Sequence, residues 1–266
     1  RGLGDVYKRP HILRCGKSPS WLSKYSRKNC LSSSPTWSMI SRPMKYRKIV
    51  DGLFIDRPNR FIAHVDIQGV TETVHVKNTG RCKELLIPGC PVRLELSDNP
   101  NRKTRYDLVA VCKKDFGWIN IDSQAPNKVV KEWLETRDYD RIQPEFTYGE
   151  SRLDFYMEKG EKKYLMEVKG CTLEVDGIGY FPDAPTERGV KHLYELIKAR
   201  KQGYECFLAF VIQMEGIQEV RPNTNMHPAF GKALEEARRA GVKILYLPCR
   251  VGTDTLTIEK DKIVQS

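Results

Sequence analysis

Seven consecutive apolar residues in the C-terminal half of the chain constrain its fold more than any other feature: Cys206-Phe207-Leu208-Ala209-Phe210-Val211-Ile212. A strand with one solvated face alternates apolar and polar residues, whereas an uninterrupted apolar strand is typical of a sheet that is covered on both faces. Helical patterns flank this run. The apolar stripe of Val190, Leu193, Leu196 and Ile197 predicts a helix from Thr186 to Gln202, and Pro228 and Gly241 mark the ends of another.

The same alternation of helix and strand extends back to residue 125. Asn127 can cap a helix that runs to about Arg137, and strand candidates follow at 144–148, 152–157 and 163–168. With a last strand at 242–247, this order predicts an α/β domain with a mixed sheet over residues 125–266.

Residues 44–124 show a different pattern, in which short strands alternate with turn signals between Ile49 and about Ile121. Gln68-Gly69 fits a hairpin turn, and one short helix fits around Arg81–Leu86. About five strands with one small helix predict a partly open Greek-key barrel of the OB type, which often binds oligonucleotides. The pattern alone is also compatible with a small β-sandwich or an SH3-like barrel.

Residues 1–43 are rich in Ser, Arg and Lys and show no sustained periodicity, whereas Met44 opens a strand-like pattern. Three interpretations compete: an organelle targeting peptide, a basic arm with non-specific affinity for phosphates, and sequence that is no part of the native protein. The last is favoured, because Asp5-Val6-Tyr7-Lys8-Arg9 resembles the translation of a transposon-end sequencing adaptor. We expect a disordered or non-native extension.

The distribution of charge and of cysteine residues indicates which ligands and compartments to expect. The chain carries +11, but residues 1–43 hold nine of the 45 Lys and Arg and one of the 34 acids, which leaves +3 on residues 44–266. The eight cysteines are scattered without a CxxC pair, so we expect no zinc, no disulfide framework, and a reducing, cytoplasmic compartment. No apolar run approaches the roughly 18–20 residues that span a bilayer, so we expect no membrane partner.

A predicted hairpin brings together residues that suit metal chemistry. In the strand from Ser151 to Met157, the alternation places Leu153, Phe155 and Met157 on a core face and Arg152, Asp154 and Tyr156 on the other. In the returning strand, Glu167 and Lys169 lie on the face away from Met166 and Val168. The hairpin can therefore place Asp154 beside Glu167, and two carboxylates suit Mg²⁺ or Mn²⁺. A Glu-x-Lys on a strand is by itself usually a solvated, salt-bridged face.

The start of the predicted helix at Thr186 adds positive charge. Arg188, Lys191 and His192 fall at i, i+3 and i+4 on one face, near a helix N-terminus where phosphates are favoured. His192 alone would more often be a packed histidine than a catalytic one.

Three segments resemble the sugar fermentation stimulation protein A (SfsA) family: Ser151-Arg152-Leu153-Asp154-Phe155, Met166-Glu167-Val168-Lys169-Gly170, and the long, specific block from Phe181 to Leu193. The resemblance covers essentially Met44 to Val264 and includes Asn78-Thr79-Gly80. It implies an OB-like N-terminal domain, a PD-(D/E)xK restriction-endonuclease-like C-terminal domain and DNA binding.

The family pattern assigns the metal-binding acids to Asp154 and Glu167 and the catalytic lysine to Lys169. It implies Glu145 as an additional acid on the preceding strand. Two departures stand out. The family often has Pro where this chain has Lys77, and Arg-x-Asp where this chain has Gln213-Met214-Glu215, so the role of that strand end stays unassigned. The predicted nucleic-acid contacts are Arg152, Arg188, Lys191, His192 and Asn78.

Three hypotheses of function follow. The first is a divalent-metal-dependent nuclease that acts on DNA or RNA. The second is a non-catalytic DNA-binding regulator of sugar (maltose) utilisation genes, which the family's name suggests. The third, a direct enzyme of sugar metabolism, lacks a phosphate-cradling glycine loop. Intact Asp154, Glu167 and Lys169 favour the nuclease, since a pure binder needs no converging carboxylates beside phosphates. The oligomeric state stays open, a homodimer included.

Overall fold

The computed structural model describes residues 43–78 and 80–266. The prediction for residues 1–43 falls outside the described residues except at Pro43, and so does the part of the Asn78-Thr79-Gly80 motif that concerns Thr79. Along the described chain, no helix is long and apolar enough to cross a membrane.

Six strands form the N-terminal half: β1 (Ile49–Asn59), β2 (Ile62–Ile67), β3 (Val70–Val76), β4 (Pro91–Leu96), β5 (Tyr106–Lys113) and β6 (Gly117–Asn120). They are hydrogen-bonded in the order β3-β2-β1-β4-β5-β6, and β3 also pairs in parallel with β5. This last pairing closes β1 to β5 into a barrel, whose interior Val65, Val74 and Leu94 fill without solvent exposure. The predicted OB-type barrel is confirmed.

The helix expected at Arg81–Leu86 is wrong. The chain makes a tight turn there, in which the amides of Leu85 and Leu86 both donate to the carbonyl of Cys82. Cys82 has a positive φ of 46°, and Pro88 follows the turn closely, so a second helical turn cannot form.

The C-terminal half begins with helix α1 (Ala125–Glu135) and three antiparallel strands, β7 (Arg141–Tyr148), β8 (Ser151–Lys159) and β9 (Lys162–Cys171). The elements that follow are β10 (Leu173–Val175), β11 (Ile178–Phe181), α2 (Glu187–Lys201), β12 (Glu205–Ile212), β13 (Val220–Pro222), α3 (Pro228–Arg239), β14 (Lys243–Val251), β15 (Leu256–Ile258), a 3₁₀ turn (Lys260–Lys262) and β16 (Val264–Gln265).

The main sheet has the order β15-β14-β12-β9-β8-β7, and β16 pairs with β14. Strand β12 runs parallel to both β9 and β14, whereas β7, β8 and β9 are antiparallel, so the predicted mixed sheet is confirmed. The strands β10, β11 and β13 form a separate small sheet that the sequence pattern does not predict.

Helices cover both faces of the main sheet, as the apolar run of β12 requires. Helix α1 packs on the face that presents Phe155 and Met166, and α2 and α3 pack on the face that presents Leu165 and Leu208. Every residue of β12 from Cys206 to Ile212 is buried.

Candidate functional site

The predicted carboxylate pair lies where strands β8 and β9 separate. Their ladder ends at the pair Phe155 and Met166, and Asp154 and Glu167 are the next residue on each strand. Beyond this point the amide of Val168 donates to Oδ2 of Asp154 at 2.7 Å, instead of to a backbone carbonyl of β8. A side chain thus takes over a ladder hydrogen bond, and this fixes Asp154 against β9.

Strand β8 does not keep the strict alternation expected of it. Leu153 belongs to the same core cluster as Tyr156, whereas Phe155 and Met157 belong to the cluster beneath α1. The prediction that Leu153 shares a face with Phe155 is therefore wrong. The break coincides with a gap in the β7–β8 ladder, where Glu145 adopts a positive φ of 54°.

Asp154 has a second partner that the sequence pattern assigned elsewhere. Asn127 donates from Nδ2 to Oδ1 of Asp154 at 2.7 Å. Asn127 is not the predicted cap, since α1 begins at Ala125 and has Pro126 in its first turn. Burial, and then the negative charge of Glu167, raise the pKa of Asp154 above its usual value. No local signal in the sequence distinguishes this asparagine from a helix cap.

Glu167 is 2% exposed, and its two oxygens differ. Oε1 accepts hydrogen bonds from Nζ of Lys169, at 2.5 Å, and from Nδ1 of His192. Oε2 is also buried but has no hydrogen-bond partner among the described residues. Burial alone would raise the pKa of Glu167, but the charge of Lys169 and the hydrogen bond from His192 outweigh it and lower the pKa.

Helix α2 holds Glu167 through His192, in addition to Lys169 on β9. Nε of Arg188 donates to Nε2 of His192 at 3.3 Å, so the proton of the imidazole lies on Nδ1 and points to Glu167. His192 is 4% exposed and both of its ring nitrogens are occupied, so its burial does not match the predicted contact with nucleic acid. Arg188 and Lys191 are the members of this face that remain exposed.

The start of α2 is well defined. Thr186, where the sequence predicted the helix to begin, caps it by accepting a hydrogen bond from the amide of Gly189 at 3.1 Å. Lys191 lies 3.5 Å from the carboxylate of Glu150, which is itself largely exposed. This surface ion pair is weak and leaves the cation available to a phosphate.

Glu145 and Arg152 form an ion pair of 3.6 Å with each other on the surface, at 66% and 60% side-chain exposure. Glu145 lies on β7 opposite Asp154 of β8, but the structure does not bring its carboxylate to the carboxylate pair. Within residues 43–78 and 80–266, no group of three or more His, Cys, Asp or Glu side chains is arranged to hold a metal ion.

The side chain of Asn78 makes hydrogen bonds within the protein. Its Oδ1 accepts from the amide of Gly80 at 2.6 Å, and its Nδ2 donates to the carbonyl of Ile121 at 2.9 Å. Both ends of the amide are thus engaged within the protein. The predicted contact of Asn78 with nucleic acid is not what its geometry indicates.

Comparison with known proteins agrees with the architecture of a small OB barrel followed by an α/β domain that carries this site. A model described as the SfsA N-terminal OB domain matches residues 55–121, and one described as the sugar fermentation stimulation protein RE domain matches residues 124–255. The chain belongs to the sugar fermentation stimulation protein (SfsA) family.

Relatives match over nearly their whole length. A sugar fermentation stimulation protein homolog of Desulfitobacterium hafniense is 53% identical over 216 residues, which are 80% of this chain and 94% of the relative. One from Ruminiclostridium cellulolyticum is 52% identical over 221 residues, 82% of this chain and 97% of the relative. The solved structure of Pyrococcus furiosus SfsA in complex with Ca²⁺ is similar with a TM-score of 0.71 and 28% identity, covering 84% of this chain and 95% of that one.

Proposed function

We propose that the protein is a divalent-metal-dependent phosphodiesterase that cuts nucleic acid, with Asp154, Glu167 and Lys169 as its catalytic residues. The observation that carries this proposal is the buried Oε2 of Glu167, which lies in a carboxylate pair without a partner among the described residues. An ionised oxygen in that position is costly unless a cation reaches it. A bound metal ion would remove this cost.

The donor set fits a small, hard cation. Two carboxylates supply anionic oxygens, and Mg²⁺ or Mn²⁺ is commonly held by one or two carboxylates together with waters and substrate phosphates. A third acidic ligand is therefore not required, and the exposed Glu145 need not contribute. The related Pyrococcus furiosus SfsA, whose structure was solved in complex with Ca²⁺, supports a divalent site here, because Ca²⁺ also prefers oxygen ligands.

When bound, the metal would polarise a phosphoryl oxygen and lower the pKa of a coordinated water. The protein's own groups would do the rest. Asp154 and Glu167 would hold the metal ion, and hydrogen bonds from Val168, Asn127 and His192 fix these two carboxylates in place. Lys169, with 15% side-chain exposure, is close enough to orient the attacking water or to offset charge on the phosphate. Arg188, Lys191 and Arg152 would bind flanking phosphates.

The decisive experiment incubates purified full-length protein with labelled single- and double-stranded DNA and RNA, in Mg²⁺, Mn²⁺ or EDTA. We expect cleavage of at least one polymer with metal and none with EDTA. Glu167→Gln should lower the cleavage rate at least about 100-fold, since even supporting residues of a metal site commonly contribute 10–100-fold. Its affinity for the polymer in EDTA should remain, because other surfaces supply the binding.

Glu174→Gln is the matched control. Glu174 is 6% exposed and accepts a charge-assisted hydrogen bond from Lys113, as Glu167 does from Lys169, but it lies outside the carboxylate pair. It should retain cleavage. If the wild-type protein cuts no polymer with either metal, or if Glu167→Gln cuts like the wild type, the nuclease proposal fails and the non-catalytic DNA-binding regulator takes its place.

A further inference from the structure

A cavity of about 440 Å³ lies on the barrel where it meets the C-terminal domain. Four cationic side chains line it, and Ala184 closes it from the segment that leads into α2. The cations are Arg57, Arg60, Arg81 and Lys83. Its volume is that of a small-molecule site and suits one nucleotide at a time.

Arg57 builds the cavity rather than offering charge to a ligand. Its guanidinium donates to the carbonyl oxygens of Arg60, Asn78, Gly80 and Arg81, at 2.6, 2.8, 3.0 and 2.7 Å. These carbonyls belong to the turn between β1 and β2 and to the loop after β3. One side chain therefore ties together the two loops that form the cavity walls.

The other three cations are exposed, and no carboxylate lies within 4.0 Å of Arg60, Arg81 or Lys83 in the part of the chain that the structure describes. The guanidinium of Arg60 stacks 4.7 Å from the ring centre of Phe61, which is itself 44% exposed. Exposed cations beside an aromatic ring are what a nucleic-acid backbone with unstacked bases requires.

Two acids lie beneath the cavity and do not cancel its charge. Asp183 accepts a hydrogen bond from the amide of Arg81, and a Cβ on Gly80 would meet its Oδ2 at 2.1 Å, so the carboxylate is packed under the loop. Glu84 is half-buried nearby. With four cations against these two acids, the cavity keeps a positive charge.

The segment that leads into α2 connects the cavity to the candidate site. Ala184 at its edge is four residues from Arg188, and Arg188 contacts His192, which holds Glu167. We propose that this cavity binds the phosphodiester backbone of a single nucleic-acid strand and guides that strand along the 184–188 segment toward Asp154 and Glu167. The strand's role as a substrate rests on the function proposed above, whereas its binding in the cavity can be measured alone.

The test compares two double variants of the full-length protein that remove equal charge. Arg60→Gln/Lys83→Gln alters the cavity. Lys48→Gln/Lys103→Gln alters two exposed cations at the start of β1, where Ile49 pairs with Glu95 of β4. The cavity lies at the other end of this strand, since Arg60 follows its last residue. Fluorescence anisotropy in EDTA measures affinity for a labelled 16-nucleotide single strand, for the corresponding duplex and, by competition, for a mononucleotide and inorganic phosphate.

We expect the cavity variant to bind the single strand roughly tenfold more weakly, as two lost charge-assisted contacts allow. Its log–log salt slope should fall by about 1.4, because each phosphate contact on a single strand contributes about 0.7. The control variant should bind like the wild type. In Mg²⁺ or Mn²⁺, cleavage by the cavity variant should show a raised KM and an unchanged kcat.

Three results would overturn the inference: equal weakening of both variants, unchanged binding of the strand, or loss of mononucleotide or phosphate binding alone, which would mark a small-ligand site. If the wild-type protein binds the strand through this cavity but cuts nothing, the proposed nuclease fails and the binding site stands.

Discussion

Glu167 is held by a residue from another element, and this makes His192 a positioning residue for the candidate site. The imidazole donates to Oε1 and leaves Oε2 as the oxygen without a protein partner. Arg188 fixes the tautomer that allows this by donating to Nε2. A histidine that only filled space in the core would need neither contact.

We therefore expect His192→Ala to raise the metal concentration for half-maximal cleavage by about 10-fold or more, the usual range for partners that orient a metal ligand. His192→Asn should rescue much of this loss, because its amide nitrogen can take the place of Nδ1. Metal titrations of the cleavage rate measure the effect, with thermal melts alongside. Equal behaviour of the two variants, with a metal dependence like that of the wild type, would show that His192 only packs.

At this scale, the predicted hairpin was enough to place Asp154 and Glu167 at neighbouring positions, as they are where the ladder ends, although the alternation of β8 breaks there. The partners of these carboxylates were not predictable. Asn127 and His192 come from helices whose distance from the hairpin depends on tertiary packing, which no local pattern records. The misplacement of Leu153 has the same origin, since the irregular backbone at Glu145 has no signature in the sequence.

Among the elements, a buried carboxylate lies at the contact that closes the barrel. Asp107 on β5 pairs with His75 on β3 at the parallel contact that closes the barrel, and their side chains are 2.8 Å apart. Arg102 donates two hydrogen bonds to the same carboxylate, at 2.9 and 2.7 Å. Burial alone would raise the pKa of Asp107, but these hydrogen bonds outweigh it and lower the pKa from 3.8 to about 2.

The sign of the resulting pH dependence follows from linkage. Because the pKa is lower in the folded state, Asp107 stabilises the protein above pH 4, and this contribution is lost as the pH falls from about 4 to about 2. At pH 7, Asp107→Asn should lower the free energy of unfolding by about 2 kcal/mol. Between pH 4 and pH 2 the difference in the free energy of unfolding between Asp107→Asn and the wild type should shrink.

Chemical denaturation across this pH range provides the measurement, and Asp115→Asn is the control. Asp115 is exposed in the β5–β6 turn at a φ of 60°, which asparagine also tolerates. A constant difference between Asp107→Asn and the wild type at every pH would mean that the carboxylate's charge does not contribute.

Long, periodic elements were predictable and short ones were not. The helix expected from Thr186 to Gln202 is α2 with its two caps, and the apolar run is β12. Strands β10, β11 and β13 have three or four residues each, which is too short for a periodicity to be recognised. Their pairing depends on neighbours distant in sequence.

Across the whole molecule, the end of β12 joins the two domains, a role that its sequence left unassigned. Gln213 is 2% exposed, and its Nε2 donates to Oδ1 of Asn120 at 2.9 Å and to the carbonyl of Asp122 at 3.1 Å. A Cβ on Gly170, in β9, would meet Oε1 of Gln213 at 2.3 Å and Cγ of Pro126 at 2.9 Å, so a larger residue there would displace the amide of Gln213. The amide of Gln213 thus fills the space between the barrel, β9 and the segment that leads into α1.

We therefore expect the two domains to unfold as one unit and Gln213 to stabilise both. Gln213→Ala removes two buried hydrogen bonds across the seam and leaves the carbonyl of Asp122 without that partner, which should lower the free energy of unfolding by about 1–3 kcal/mol. Gln218→Ala, at an exposed position of the same loop, should change it by no more than about 0.5 kcal/mol. Differential scanning calorimetry of the wild type should show one transition whose calorimetric and van't Hoff enthalpies agree. Two resolved transitions in the wild type, or equal melting of both variants, would mean that the domains fold independently and that Gln213 only fills the seam.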